Sequence, residues 1–496
     1  MAENTPPRAT GSSFREAASF ARQHWPKLLA ISLLVLAPCF WHRRITATDL
    51  GSHLYNAWLA QLIEHGQAPG LWLARQWTNV LFDFLLSGLG ARFGYNVTEK
   101  VAVSLSVLIF FWGLFALVSA AARRAPWFLL PCIALVTYGY TFHMGFFNYY
   151  LSLGLSFFSL AIFWRGQGWC RFTGFAIVPL IVLANPLGLF WLVGASLYVG
   201  VAEMLPRRYS WLLLAPAAAV LVGAHFYLVR HFITEAPPVP FYFYSGADQL
   251  RLFGRRYLGV ALAAVAFFAA AFITDIVIRR HETGLCRNYA IPLQLYLLVF
   301  LAVPLLPGGI TFSHLGAAIA LLTERLTSVS ASLACCILGA TRPRKWHLAV
   351  SAAIAALFFT FVYQDTATIN RMEKQAERLV RTLPPNQRVL ATILPPQESH
   401  IPIQHIIDRA CIGHCFSYGN YEPASAVFRV RANPGNAYVM SESEDTVAME
   451  EGSYVVRPED LPAYQVYQCD LSGTTLCIAP LEAGQENDEL GVHPDP

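Results

Sequence analysis

WTNVLFDFLLSGL, residues 77–89, is the stretch whose reading decides how this chain is threaded. Counted as a membrane span, it moves every later connection to the opposite side. Eleven other apolar runs, near 28–41, 101–120, 126–142, 146–164, 172–184, 187–205, 211–229, 257–278, 289–306, 326–340 and 346–363, read as membrane helices, since a bilayer core of roughly 30 Å takes about 20 residues. With these eleven, the side holding the N-terminus carries 16 basic residues in about 60, among them Arg123, Arg124, Arg207, Arg208, Arg279, Arg280, Arg342, Arg344 and Lys345. The opposite connections carry ten over roughly 110 residues. This bias places the N-terminus in the cytoplasm. A twelfth span at 77–89 would export the clustered arginines, so its aromatic residues and Asp83 place it in the interface or half-way into the membrane.

The composition agrees. Hydrophobic residues make up 55% of the 496 and charged residues only 13%, with a mean hydropathy of +0.44, far from a soluble globular balance. The net charge of +4 is scattered in small clusters at helix ends, which argues against nucleic acid as a partner. The expected architecture is a polytopic α-helical membrane protein with about eleven spans. It divides into a cytoplasmic tail 1–27, a transmembrane domain 28–363 with a long outer loop 42–100, an extracytoplasmic α+β domain 364–481 and a disordered acidic tail 482–496. A cell inner or plasma membrane is its expected location.

In the tail, a polar helix from about Thr366 to Leu383 is expected to end at Pro384-Pro385, followed by strand-like runs RVLATIL, VFRVRA and SYVVR and a hairpin over Tyr464 to Pro480. Cys411, Cys415, Cys469 and Cys477 form an even set that suits disulfides outside the cytoplasm, with a link expected between the Cys411/Cys415 region and Cys469 or Cys477. His400, His405, Asp408 and His414 match no established metal-site spacing and read as surface residues.

Three connections on the outer side are long, 42–100, 230–256 and 307–325, which places the expected site there. Its most suggestive string is Thr48-Asp49-Leu50-Gly51-Ser52-His53, just past the first span and followed by an amphipathic helix, Leu54 to Gly66. Asp49 and His53, spaced i, i+4, share a helix face, so a carboxylate base can sit beside an imidazole that orients it or binds phosphate. The plainer alternative is that Asp49 caps the helix.

In layout this chain resembles the GT-C superfamily of membrane glycosyltransferases: an acid after the first span (Asp49), an amphipathic helix in the first outer loop, and an interfacial segment (Trp77 to Gly94) before the second span. The string GFFNYYLSLGLSFFSLAIFWR, from Gly145, resembles a span of bacterial membrane proteins grouped with that superfamily. The resemblance implies transfer of a sugar from a polyprenyl-phosphate donor to an extracytoplasmic acceptor hydroxyl, with inversion and with Asp49 as general base. Many members carry a second acid where this chain has His53, so a divalent metal stays open and no metal ligand is assigned. A leaving phosphate needs a cation. Arg325, beside Glu324 at the start of a span, is the first candidate, with Arg75, Arg255 and Arg256 the others. A transporter and a membrane scaffold presenting the tail domain are the alternatives. Against the transporter stand the absence of an internal repeat and the gathering of charges at the rim.

Overall fold

A computed structural model describes residues 13–236, 244–281, 285–312, 317–393, 399–403, 405–425, 427–451, 453–470 and 473–486. Helices α1 (Ser13–Phe40) and α2 (Thr48–Glu64) are followed by β1 (Leu71–Leu73), α3 (Leu81–Phe93), α4 (Tyr95–Ala122), α5 (Leu130–Thr137), α6 (Tyr140–His143), α7 (Phe147–Arg165), α8 (Val178–Ala184), α9 (Pro186–Met204), α10 (Arg207–Ser210) and α11 (Leu214–His231). Then come β2 (Ile233–Glu235), α12 (Arg256–Arg279), α13 (Leu285–Leu305), β3 (Gly309–Phe312), β4 (Ala317–Ile319), α14 (Leu322–Ala340) and α15 (Lys345–Val380). Among the described residues, six helical segments are long and apolar enough to cross a membrane: α4, α7, α9, Trp211–His231, α12 and α15. The other apolar runs are also helical, but 126–142 breaks into a 3-10 turn, α5 and α6, and 172–184 is part 3-10.

The contested segment is α3. At 13 residues it is about 20 Å long, short of a bilayer core. Asn148 on α7 fixes its start, accepting from the Phe82 amide (2.8 Å) and donating to the Asn79 carbonyl (3.1 Å) and to Asp83 (3.3 Å). Trp77, Phe84 and Phe93 stay exposed.

Alternate connections meet at opposite ends of the bundle. At one end the Asp49 amide donates to the Met144 carbonyl, Asn185 donates to Asn79, and β2, β3 and β4 form one antiparallel sheet. At the other end Arg124 donates to the Gly339 and Thr341 carbonyls, and Asp275 accepts from the Arg342 amide, Arg279 and Tyr289. Asp275, near the C-terminal end of α12, is buried, and these donors satisfy it.

The C-terminal region comprises β5 (Arg388–Thr392), α16 (Ile406–Cys411), β6 (Phe416–Ser417), β7 (Val430–Ala432), α17 (Ser443–Glu451), β8 (Ala463–Gln468) and β9 (Leu476–Pro480). Its sheet runs β6-β5-β8-β9, with β5 parallel to both neighbours and β8 antiparallel to β9. The expected tail helix is no separate element: it continues the last apolar run as the 36-residue α15, because residues 345–383 contain neither Gly nor Pro to interrupt it. Of the strand-like runs, VFRVRA leaves the tail sheet. It pairs as β7 with β1 of the first long loop, Trp72 opposite Arg431. SYVVR contributes only an isolated bridge from Val455 to Glu486. Most of the acidic tail, from 487 on, and the Leu471-Ser472 turn lie outside the described residues.

The cysteine pairing corrects the sequence expectation. Cys411 joins Cys415 across four residues and Cys469 joins Cys477 across the β8–β9 hairpin, so both links are local. A 4.6 Å and a 5.3 Å Cα separation bring each pair within bonding reach. Peptide mapping of protein taken from membranes without reductant is expected to recover these two links. A peptide joining the 411/415 region to 469 or 477 would refute the pairing.

Candidate functional site

Helix α2 lies between the bundle and the C-terminal region, and two glycines let it sit there. A side chain on Gly51 would strike the backbone carbonyl of His405. One on Gly145, whose φ of +83° favours glycine, would come within 2.7 Å of the Asp49 amide nitrogen. Ala47 is the N-cap of α2 and makes no side-chain cap bond, so Asp49 is not the cap that the plainer reading assigns it. Asp49 instead occupies the first turn, where the helix dipole favours an anion. Its side chain keeps 19% exposure, more than any of its charged neighbours His53, Asp83, Glu422 and His405. Burial pushes the Asp49 carboxyl above its ordinary pKa, against the pull of His405, His53 and Arg325.

His53 points into a separate carboxylate cluster. Its Nδ1 lies 3.0 Å from Asp83 on α3 and 3.3 Å from Glu422 of the C-terminal region. Burial alone lowers the imidazole pKa, but Asp83, then Glu422 and Asp49, carry it up to about 9. Burial also raises Glu422, an effect that the His53 charge opposes. Next to it in the chain, Ser52 donates to Asn420 and Glu422 (both 3.1 Å), and one turn on the Asn56 and Asn420 amides bond each other reciprocally. The polar face of α2 is thus a seam with the tail.

Asp49 meets a different histidine. His405 Nε2 stands 4.0 Å from Asp49 Oδ1, and its Nδ1 lies 3.1 Å from Asp408 Oδ2. Asp408 in turn accepts from the Ser417 hydroxyl, and Tyr421 packs against the His405 ring at 5.1 Å. His405 is therefore a buried site residue, not the surface histidine expected from its spacing. No local motif could reveal it, because its partner is 356 positions away in the chain.

Of the four candidate arginines, only Arg325 joins this group. It is among the cations that favour ionised Asp49, and its guanidinium stacks 4.4 Å from the Phe146 ring. Its buried Nε has no hydrogen-bond partner among the described residues. Arg256 is engaged elsewhere, in a 2.5 Å ion pair with Asp365. Arg75 and Arg255 are exposed. His143 is buried with Nδ1 3.1 Å from the Thr46 carbonyl, and His314 lies outside the described residues. Among the described residues, no group of three or more His, Cys, Asp or Glu is arranged to hold a metal ion.

The bundle also holds a partly open apolar cavity of about 290 Å³ walled by α5, α12, α14 and α15, with Phe267, Phe268, Ala331 and Leu338 among its lining. Gln249 is its polar end. That side chain accepts from Thr141 and donates to the Glu324 carbonyl and Thr327, which ties this part of the cavity wall to the start of α14.

The His53 cluster makes stability depend on pH with a defined sign. A histidine raised from 6.5 to about 9 on folding contributes fully below about pH 6.5 and loses its contribution as pH rises through 9. The raised carboxyls of Glu422 and Asp49 act in the same direction, from lower pH upward. The melting temperature is expected to fall between pH 6.5 and 9, reflecting at most about 3 kcal/mol from His53. His53→Gln should flatten that fall, and an unchanged slope in the variant would refute the charge assignment.

In comparisons with known proteins, no family model, no curated protein and no solved structure matches this chain.

Proposed function

We propose that this chain is a membrane glycosyltransferase that moves a sugar from a polyprenyl-phosphate donor to an acceptor hydroxyl on the extracytoplasmic side, with inversion. The observation that carries this reading is the meeting of Asp49, His405 and Arg325, drawn from the first loop, the tail and α14, at one end of an apolar helical bundle. In this reading the bundle crosses the membrane eleven times, with the N-terminus in the cytoplasm and α2 and the C-terminal domain outside. The β1–β7 pairing supports that count, since strands on opposite sides of a membrane cannot pair. With ten spans between them, the two strands share a side. A spanning α3 would separate them.

The groups divide the reaction among them. The Asp49 carboxylate takes the acceptor proton as the hydroxyl oxygen attacks the anomeric carbon. The bond from that carbon to the phosphate oxygen breaks, and its electron pair leaves with the lipid phosphate. Arg325, with its unpartnered buried Nε, balances the charge gathering there. His405, held by Asp408, keeps Asp49 ionised when protonated and accepts its proton when neutral. A raised carboxyl pKa makes Asp49 a stronger base than a solvated aspartate. The apolar cavity beside Gln249 supports a donor with a hydrocarbon chain.

Sugar transfer by purified protein from polyprenyl-phosphate donors tests the assignment. Asp49→Asn is expected to lower turnover by about 10²–10⁴-fold and Arg325→Gln by about 10²–10³-fold, at matched folding. Arg75→Gln and Arg255→Gln should stay near wild type. Wild-type protein inactive with every such donor would remove the enzyme reading, and near-normal Asp49→Asn would remove that residue as base. Topology has its own check. Alkaline phosphatase fused after Gln364 should be active and a cytoplasmic reporter there silent, and the reverse result would overturn the span count.

A further inference from the structure

We propose that a cationic pocket between the outer end of α1 and the middle of α15 binds the phosphate group of an anionic membrane lipid. The pocket encloses about 300 Å³, and its lining includes Arg43, Arg44, Arg371 and Lys374 but only one carboxylate, Glu377. That carboxylate is already shared. It faces Arg43 at 3.2 Å, Arg44 at 3.3 Å and Arg381 at 3.4 Å. Glu373, 3.9 Å from Arg44, also faces the buried Arg409. Among the described residues, Arg371 bonds only the Thr368 hydroxyl (2.9 Å), and no carboxylate pairs with Lys374. Several cations around one concave space with one divided counter-charge leave an anion to complete it, and a phosphate accepts from guanidinium and ammonium donors on several oxygens at once.

The position of the pocket points to lipid as the source. Helix α1 ends at the exposed Phe40, and Trp41 packs edge-on against Phe359 and Tyr363. His42, which lines the pocket, stacks on Tyr363 at 4.8 Å and bonds its carbonyl. Such amphipathic rings sit at the boundary of lipid and water. Arg371 lies eight residues past Tyr363, about 12 Å along the helix axis, and its side chain can descend toward that boundary. The cations therefore stand where phospholipid phosphates lie. This pocket shares no lining residue with the cleft formed by Thr48, Gly51, His405 and Arg409 beside Asp49. The inference depends on α1 and α15 entering a membrane and not on the transfer reaction, so an inactive protein would leave it standing.

The test uses the full-length protein in nanodiscs of phosphatidylcholine with or without phosphatidylglycerol, with retained lipid counted by native mass spectrometry. Wild type is expected to retain phosphatidylglycerol over phosphatidylcholine. Arg371→Gln/Lys374→Gln should weaken that retention by about ten- to thirty-fold, since each cation near a charged headgroup counts for about five-fold. Both side chains are exposed, so the variant should melt with wild type in phosphatidylcholine alone, and Arg371→Lys/Lys374→Arg should restore binding. A soluble source of phosphate would show itself differently: millimolar inorganic phosphate would raise the melting temperature of wild type and not of the Gln variant, with no lipid preference. That result keeps the phosphate site and removes the membrane as its source. Equal retention by wild type and the Gln variant, with no response to phosphate, overturns the proposal.

Discussion

A guanidinium with 5% exposure holds the two halves of this molecule together. Arg409 on α16 donates to the Ile45 carbonyl at 3.2 and 3.3 Å and faces Glu99 at 3.4 Å and Glu373 at 3.6 Å. One charge from the tail thus meets the chain leaving α1, the N-terminal part of α4 and the C-terminal part of α15. A buried charge is tolerable only when its neighbours compensate it, and removing one member of such a set typically costs 3–5 kcal/mol. Glu99 also accepts from the Ile45 amide, and Lys100 beside it donates to the Cys39 and His42 carbonyls at the open end of α1. The tail domain is consequently bound by polar contacts of fixed direction, and these set the angle at which His405 faces α2.

From that anchor the polar seam along α2 follows. Ser52, His53 and Asn56 recur at one- and four-residue intervals on the face turned to Asn420 and Glu422, while Leu50, Leu54 and Leu59 are fully buried among apolar side chains. Tyr55 adds a contact on its other side, accepting from the Ser417 amide at 2.9 Å. A helix with partners on most of its circumference belongs to the interior, and that is why its amphipathic pattern, strong enough to suggest a membrane surface, misleads. The apolar face packs on protein instead of lipid.

The parts legible in the sequence are those that depend on neighbours in the chain. Apolar runs became helices, the run from Tyr464 to Pro480 became a hairpin, and Asp49 stands at a helix start beside the bundle. The uninterrupted α15 was also within reach, since only Pro343 and Pro384 bound it. What could not be read is what long loops bring together. Asp83 looked like a charge in an interfacial segment and is a partner of His53 thirty residues before it. The Cys469–Cys477 link depends on the register of the β8–β9 hairpin and the Cys411–Cys415 link on the turn that ends α16, not on the parity of the count. The Glu324-Arg325 pair at a helix start singled out Arg325 among the four arginines, but its nearness to Asp49 rests on the fold, where Tyr149 of α7 bonds the Arg325 carbonyl.

The geometry around Asp49 explains how one carboxylate is held both rigid and reachable. Its amide is tied to the Met144 carbonyl, and the positive-φ turn at Gly145 lets that backbone press against it. On the far side Gly51 admits the His405 backbone to contact. Two backbones thus grip the start of α2, and no rotation of the helix is free to carry Asp49 away from His405 or Arg325. The Asp49 side chain nevertheless keeps 19% exposure. The same closeness excludes most water, which raises the carboxyl pKa, while the first-turn position and three nearby cationic groups keep the anion accessible. A base needs both properties at once, and neither the bundle nor the tail domain supplies them alone. If the reaction proposed for this site is right, the tail domain is part of the catalytic machinery through His405, not an appendage to it.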